Sequence, residues 1–120
     1  MLFRSIKVGR VGGFCEAIAV HNIAEERGIP VWCGGMLETG IGRSHNIALS
    51  SLPNFSLPGD VSASSRYWSQ DIIEPEVTVS SKGEIVVPTS IGRGFEVQKD
   101  RIEKLTVRRQ TLRSNARVTA

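Results

Sequence analysis

The chain has 120 residues, 40% of them hydrophobic and 22% charged, with a mean hydropathy of −0.08 and a formal net charge of +3. That length admits at most one domain with a modest core, and no apolar run approaches the ~20 residues of a membrane span. The charge sits at one end: residues 1–100 hold 9 Lys and Arg against 11 Asp and Glu, while residues 101–120 hold 6 against 1, without the interleaved aromatics of a nucleic-acid site. An early Arg4 without a long apolar stretch after it reads as no signal peptide and a cytoplasmic protein.

In chain order, Ser5–Val8 is a short strand candidate running into a glycine-rich turn, Gly9–Gly13. Phe14, Ala17, Ile18, His21 and Ala24 then recur at helical spacing, which predicts a helix over 14–27. Gly28 fits the position just past that helix, and Pro30 prevents its continuation. Ile29–Cys33 reads as a buried strand with its proline at the start. A second glycine-rich loop, Gly34–Gly40, feeds a helix over 41–51 that Leu52-Pro53 stops. Asn54–Leu57 is a third strand, closed by Pro58-Gly59-Asp60. This alternation implies βαβ units and a parallel sheet, either a slice of a barrel or a doubly wound sheet.

Beyond Asp60 the pattern changes. Residues 61–70 are polar and read as a helical turn around Tyr67-Trp68. Val77–Val79 and Glu84–Val87, joined by Ser80–Gly83, read as a β-hairpin, and Pro88–Gly94 as a loop. A short helix over Asp100–Leu105, a strand over Val107–Leu112 and a frayed end over 114–120 complete the pass.

Several residues carry potential chemistry. Lys7, between Ile6 and Val8 at a strand end, is either a base in a site or a surface lysine with its stem laid along apolar neighbours. The loop Gly34–Gly40 is either a tight turn or a place where backbone approaches a ligand. Neither glycine loop matches GxxxxGK[ST] or GxGxxG, so phosphate-loop chemistry fails in detail. His21 reads as a packed histidine on an apolar helix face, and His45 lacks a partner at metal-binding spacing. Asp60 follows a strand and a glycine and is a weak, lone metal candidate. Cys15 and Cys33 have neither CxxC nor Cys/His spacing and read as two buried, reduced thiols.

Longer strings narrow these alternatives. Ile6-Lys7-Val8-Gly9-Arg10-Val11-Gly12-Gly13 resembles the strand-six segment I-K-P-G-R-V-G-G of the o-succinylbenzoate synthase / N-acylamino acid racemase family, in the enolase superfamily. Gly28–Arg43 resembles its strand-seven segment G-I-P-V-W-C-G-G-M-x-E-x-G-x-G-R, and Leu49–Asp60 its strand-eight segment. The likeness extends through Asp71-Ile72-Ile73 to Thr106–Arg109, about residues 5–110 in order. Val8 departs from the usual Pro, and the first four residues do not follow the pattern.

The resemblance implies an α/β fold, specifically a partial (β/α)8 barrel covering strands six to eight. Residues 1–70 would be barrel, 71–112 a hairpin or strand segment returning to the capping domain, and 113–120 a frayed tail. It implies that Lys7 is catalytic and that Gly35, Met36 and Leu37 line the substrate pocket. The implied chemistry is abstraction of a proton α to a carboxylate, with the enolate stabilised by Mg²⁺. The Mg²⁺ ligands and a second lysine would lie on an N-terminal portion that this chain lacks. The expectations that follow are a fragment, inactive by itself, of an enzyme acting on a small-molecule carboxylate, homo-oligomeric when intact and with no nucleic-acid or membrane partner. Synthase and racemase activities remain open alternatives, as does a non-catalytic interaction module.

Overall fold

The computed structural model describes residues 4–112. Strand β1 (Ser5–Ile6) is followed by one helical turn, α1 (Val8–Val11), and the longer helix α2 (Phe14–Glu26). Strand β2 (Trp32–Cys33) and helix α3 (Gly40–Leu49) come next. A 3₁₀ turn at Ser64–Arg66, strands β3 (Ile73–Glu74) and β4 (Glu96–Val97), and helix α4 (Lys99–Leu105) complete the order. Among the described residues no helix is long and apolar enough to cross a membrane.

β1 and β2 pair in parallel, Ser5 opposite Trp32 and Ile6 opposite Cys33. The third expected strand lies beside β2 in the same sense. Val31 N–H donates to Asn54 O at 3.1 Å, Leu57 N–H to Val31 O at 3.3 Å and Asp60 N–H to Cys33 O at 3.3 Å. Partners on this segment advance faster than those on β2, so extra residues interrupt the ladder and no regular strand forms over 54–57.

The expected strand over Ser5–Val8 is regular only at Ser5–Ile6, and the glycine-rich turn after it begins as a helical turn. Lys7 O accepts from Arg10 N–H at 2.9 Å and Val11 N–H at 3.2 Å, which winds Val8–Val11 into a helical turn. Gly12, at φ 102°, reverses the chain there, a conformation costly for any residue with a Cβ. The end of α2 follows the sequence reading closely. Gly28 N–H donates to Glu25 O and Ile29 N–H to Ala24 O, both at 2.9 Å, with Gly28 at φ 64°. That pair of bonds satisfies carbonyls the helix end would otherwise leave open.

Ile6, Ala17, Val31, Cys33 and Leu49 form the core, with Val8, Val11, Phe14, Leu52 and Phe55 packed partly against it. Each large aliphatic side chain buried there contributes roughly 1.5–3 kcal/mol relative to exposure. His21 is buried as expected and fastens the third segment: its Nε2 accepts from Asn54 N–H at 3.1 Å and its ring stacks on Phe55 at 5.2 Å. Nδ1 therefore carries the proton and donates to Asn22 Oδ1 at 2.9 Å. Cys15, expected to be buried, is exposed, because it lies on the side of α2 away from Ala17 and His21. Ile18, Val20 and Ile23 of α2 are exposed too.

The second half departs further from expectation. Ser80–Gly83 does make a turn, with Ser80 N–H donating to Glu84 O at 2.9 Å and Ser80 Oγ accepting from Lys82 and Glu84 N–H. Its flanks form no ladder, so the hairpin is reduced to its turn. The antiparallel pair here is β3 with β4, Ile73 opposite Val97. Arg101 of α4 pins it by donating to Asp71 O at 2.8 Å and Glu74 Oε2 at 2.9 Å. Residues 107–112, expected as a last strand, carry no regular element and are exposed, since no strand among the described residues lies there to pair with them. The expected tail at 113–120 lies outside the described residues.

Candidate active site

The parallel alignment puts the ends of β1, β2 and the third segment side by side. Lys7 leaves β1 in an extended conformation (φ −116°, ψ 111°). Its side chain lies across Gly34, where a Cβ would come within 2.7 Å of Lys7 Cγ and 2.8 Å of Nζ. Lys7 Nζ then donates to Gly35 O at 2.6 Å and stands 4.0 Å from Asp60 Oδ2. Gly35 N–H donates in turn to Asp60 Oδ1. A Cβ on Gly35 would come within 2.9 Å of Asp60 O, so the close approach of loop and third segment requires glycine there.

The rest of the β2 loop is braced by Glu38. Its Oε2 accepts from Met36 N–H at 2.7 Å and its Oε1 from Asn46 Nδ2 at 2.8 Å. Its carbonyl accepts from Arg43 Nη2 and Trp68 Nε1, each at 3.0 Å. Met36 and Leu37 are left 42% and 72% exposed, on a loop whose backbone is held from both sides. The structure thus brings Lys7, Gly35 and Asp60 into direct contact and sets Met36 and Leu37 beside them as an open apolar rim. The role of Glu38 had no signal in the sequence, because its partners Asn46, Arg43 and Trp68 depend on how α3 and the segment after it pack.

The enolase C-terminal domain-like family model matches residues 3–101. The chain belongs to that family. It is 56% identical over 102 residues to the o-succinylbenzoate synthase of Geobacillus kaustophilus, covering 85% of this chain and 27% of the relative. It is 53% identical over 102 residues to an N-succinylamino acid racemase of an Amycolatopsis species, again covering 85% and 27%. A solved enolase-superfamily member from Listeria innocua superposes with a TM-score of 0.78 at 41% identity, covering 84% of this chain and 28% of that one. The chain therefore spans about 27% of the length of these curated relatives.

Behind the rim, this enolase C-terminal domain-like chain carries a second polar cluster. Asp71 Oδ1 accepts from Gly40 N–H and Ile72 N–H, both at 2.7 Å. Its Oδ2 accepts from Ser64 Oγ at 2.6 Å and Arg43 Nη1 at 3.3 Å. Burial by itself pushes the Asp71 carboxyl up. The Ser64 hydroxyl, the two N–H groups and the Arg43 guanidinium together outweigh it and hold the group below its ordinary value. Arg43 also lies over the Tyr67 ring at 5.9 Å. Burial pushes the Cys33 thiol up, as do the nearby Glu38 and Asp60 charges, so it stays protonated.

The described residues do not fit a bound Mg²⁺. Among the described residues no three His, Cys, Asp or Glu side chains gather as ligands. Asp60, the lone candidate, is already turned toward an ammonium group and a backbone N–H. His45 is exposed and its Nδ1 bonds Ile41 O at 2.6 Å within its own helix.

Proposed function

We propose that this chain supplies the Lys7 half of the proton-transfer site of an o-succinylbenzoate synthase. The observation that carries the reading is the placement of Lys7, at a parallel strand end, hydrogen-bonded to Gly35 O beside the open rim of Met36 and Leu37. The substrate is a small carboxylate, 2-succinyl-6-hydroxy-2,4-cyclohexadiene-1-carboxylate. Lys7 Nζ takes the proton from the carbon next to the carboxylate, and the electron pair of that C–H bond passes to the enolate. The enolate electron pair then expels the ring hydroxyl, which takes up the proton from Nζ and leaves as water, giving the aromatic o-succinylbenzoate. Gly35, Met36 and Leu37 line the pocket wall, and residues 71–112 return toward the capping domain. Mg²⁺ and the second lysine belong to residues outside this chain, and the complete enzyme is a cytoplasmic homo-oligomer.

A racemase reading uses the same lysine and is supported by the Amycolatopsis relative, whose 53% identity nearly equals the 56% of the synthase. There the proton returns to the opposite face of the carbon, with no group lost.

The test assays the 120-residue polypeptide alone, and again mixed with the portion of the Geobacillus kaustophilus synthase that precedes its matching region. Both the cyclohexadiene substrate and an N-succinylamino acid are offered. The polypeptide alone is expected to give no turnover, because its described residues hold neither a metal site nor a second base. Each ~1.4 kcal/mol of lost transition-state stabilisation is a factor of ten in rate. Turnover in the mixture that disappears in Lys7→Ala supports the proposal. Turnover that survives that substitution overturns it.

A further inference from the structure

We propose that Asp60 is a positioning residue for Lys7 and acts through the backbone of Gly35; this rests on the reading of Lys7 as the proton-transfer group. The carboxylate, the Gly35 backbone and the ammonium form a closed ring. Asp60 Oδ1 accepts from Gly35 N–H, Gly35 O accepts from Lys7 Nζ at 2.6 Å, and Asp60 Oδ2 stands 4.0 Å from the same Nζ. Gly35 N–H and Gly35 O lie in the peptide groups on either side of one Cα, so fixing the first restricts where the second points. The Gly35 carbonyl shares its peptide with Met36 N–H, which donates to the Glu38 carboxylate at 2.7 Å and so makes that carbonyl a stronger acceptor. Asp60 therefore holds the ammonium directly by charge and indirectly by orienting Gly35, whose carbonyl it rests on.

The ring is anchored on both sides. Asp60 N–H donates to Cys33 O at 3.3 Å, which ties its backbone to β2. A Cβ on the preceding Gly59 would come within 2.9 Å of that same carbonyl, so the approach is as close as the chain allows. On the other side, Met36 N–H is held by Glu38, whose carbonyl is clamped by Arg43 and Trp68. Gly35 is thus held at the peptide group on each side, which keeps its carbonyl turned toward Nζ. A proton-transfer group displaced by ~1 Å can lose about a hundredfold in rate, so a fixed resting point for Nζ has catalytic value without Asp60 touching substrate.

The test compares wild type, Asp60→Asn and Asp60→Ala in the full chain by ¹⁵N NMR and by chemical labelling. Asparagine keeps an oxygen for Gly35 N–H but no charge, and alanine removes both. Gly35 amide exchange is expected to accelerate about tenfold or more in Asp60→Ala and to stay within about threefold of wild type in Asp60→Asn. Acylation of Lys7 by an amine-reactive ester, read by peptide mass spectrometry, is expected to be fastest in Asp60→Ala, which frees the side chain. In the complemented assay, Asp60→Ala is expected to lower kcat about tenfold with KM nearly unchanged, and Asp60→Asn to recover part of the loss. A wild-type Gly35 amide that exchanges as fast as exposed amides, or equal Lys7 labelling in all three proteins, overturns the assignment. The exchange and labelling readouts need no turnover. An inactive mixture with a protected Gly35 amide therefore sinks the proposed function alone, and an active, Lys7-dependent mixture with an unprotected amide sinks the tether alone.

Discussion

Arg43 with Asp71 and Lys7 with Asp60 are both acid–base pairs joining a βα segment to residues that follow it, yet they differ in nearly every physical respect. The first lies at 3.3 Å with side chains 1% and 0% exposed, the second at 4.0 Å with 24% and 56%. All the acceptor sites that count on Asp71 are filled, by Ser64, Gly40, Ile72 and Arg43, so its charge has nothing left to offer a ligand. Lys7 is held by one carbonyl and one half-exposed carboxylate, and its ammonium remains within reach of the rim. A buried, saturated pair fixes architecture, whereas an open, loosely paired one keeps a charge available for chemistry.

The sharpest way to break this comparison is to remove Asp71. Asp71→Ala leaves the Arg43 guanidinium buried without its partner and strips acceptors from Ser64 Oγ and Gly40 N–H. We predict a loss of about 3–5 kcal/mol in stability, measured by urea unfolding. The same carboxyl sets a pH dependence. Its folded-state value lies below the unfolded one, so its stabilisation is fully present above the unfolded value of about 3.9 and is lost as pH falls through the folded value. Acid titration of the unfolding midpoint should show this loss, and Asp71→Asn should flatten it.

Gly34→Ala tests the other pair through space. The new methyl would lie 2.7 Å from both Lys7 Cγ and Ser5 Oγ. We predict a stability cost of about 1–3 kcal/mol together with loss of the Lys7–Gly35 bond, read as faster acylation of Lys7. An unchanged labelling rate would show that Lys7 does not rest across Gly34. The smallest effect belongs to Lys7→Gln. An exposed pair at this separation contributes about 0–1 kcal/mol, so the unfolding midpoint should barely move, while activity in the complemented assay disappears. A destabilisation as large as that of Asp71→Ala would erase the distinction between the two pairs.

Local patterning was legible where one residue type decides the backbone. Gly28 ends α2 by the bonds its position suggests, and the periodicity over 14–27 gives a helix within a residue of its observed start and end. His21 packs as its place on an apolar face implies. Elsewhere neighbours decided. Val77–Val79 and Glu84–Val87 have the composition of a hairpin, but short strands gain little without a sheet to join, and pairing went to Ile73–Glu74 with Glu96–Val97. Asn54–Leu57 lies where a parallel strand was expected, yet extra residues break its ladder, a register detail that composition does not encode. Cys15 shows the same limit on α2: helical spacing identifies a face, but only packing reveals which side of that face is covered.

The strings around Lys7, Gly34–Arg43 and Asp60 are enough to identify the family, and close approach and turn geometry restrict several of their positions to glycine. What the tertiary structure alone decided is how those residues engage. Asp60 reaches across 25 positions to Gly35 N–H, and Asp71 reaches back 31 to Gly40 N–H. Glu38 joins the β2 loop to both α3 and Trp68. Such bonds depend on the relative placement of separate segments, which follows from the shared apolar core of Ile6, Ala17, Val31, Cys33 and Leu49. A one-dimensional pattern specifies which residues favour burial, but the distances between their polar neighbours exist only once that burial has brought the segments together.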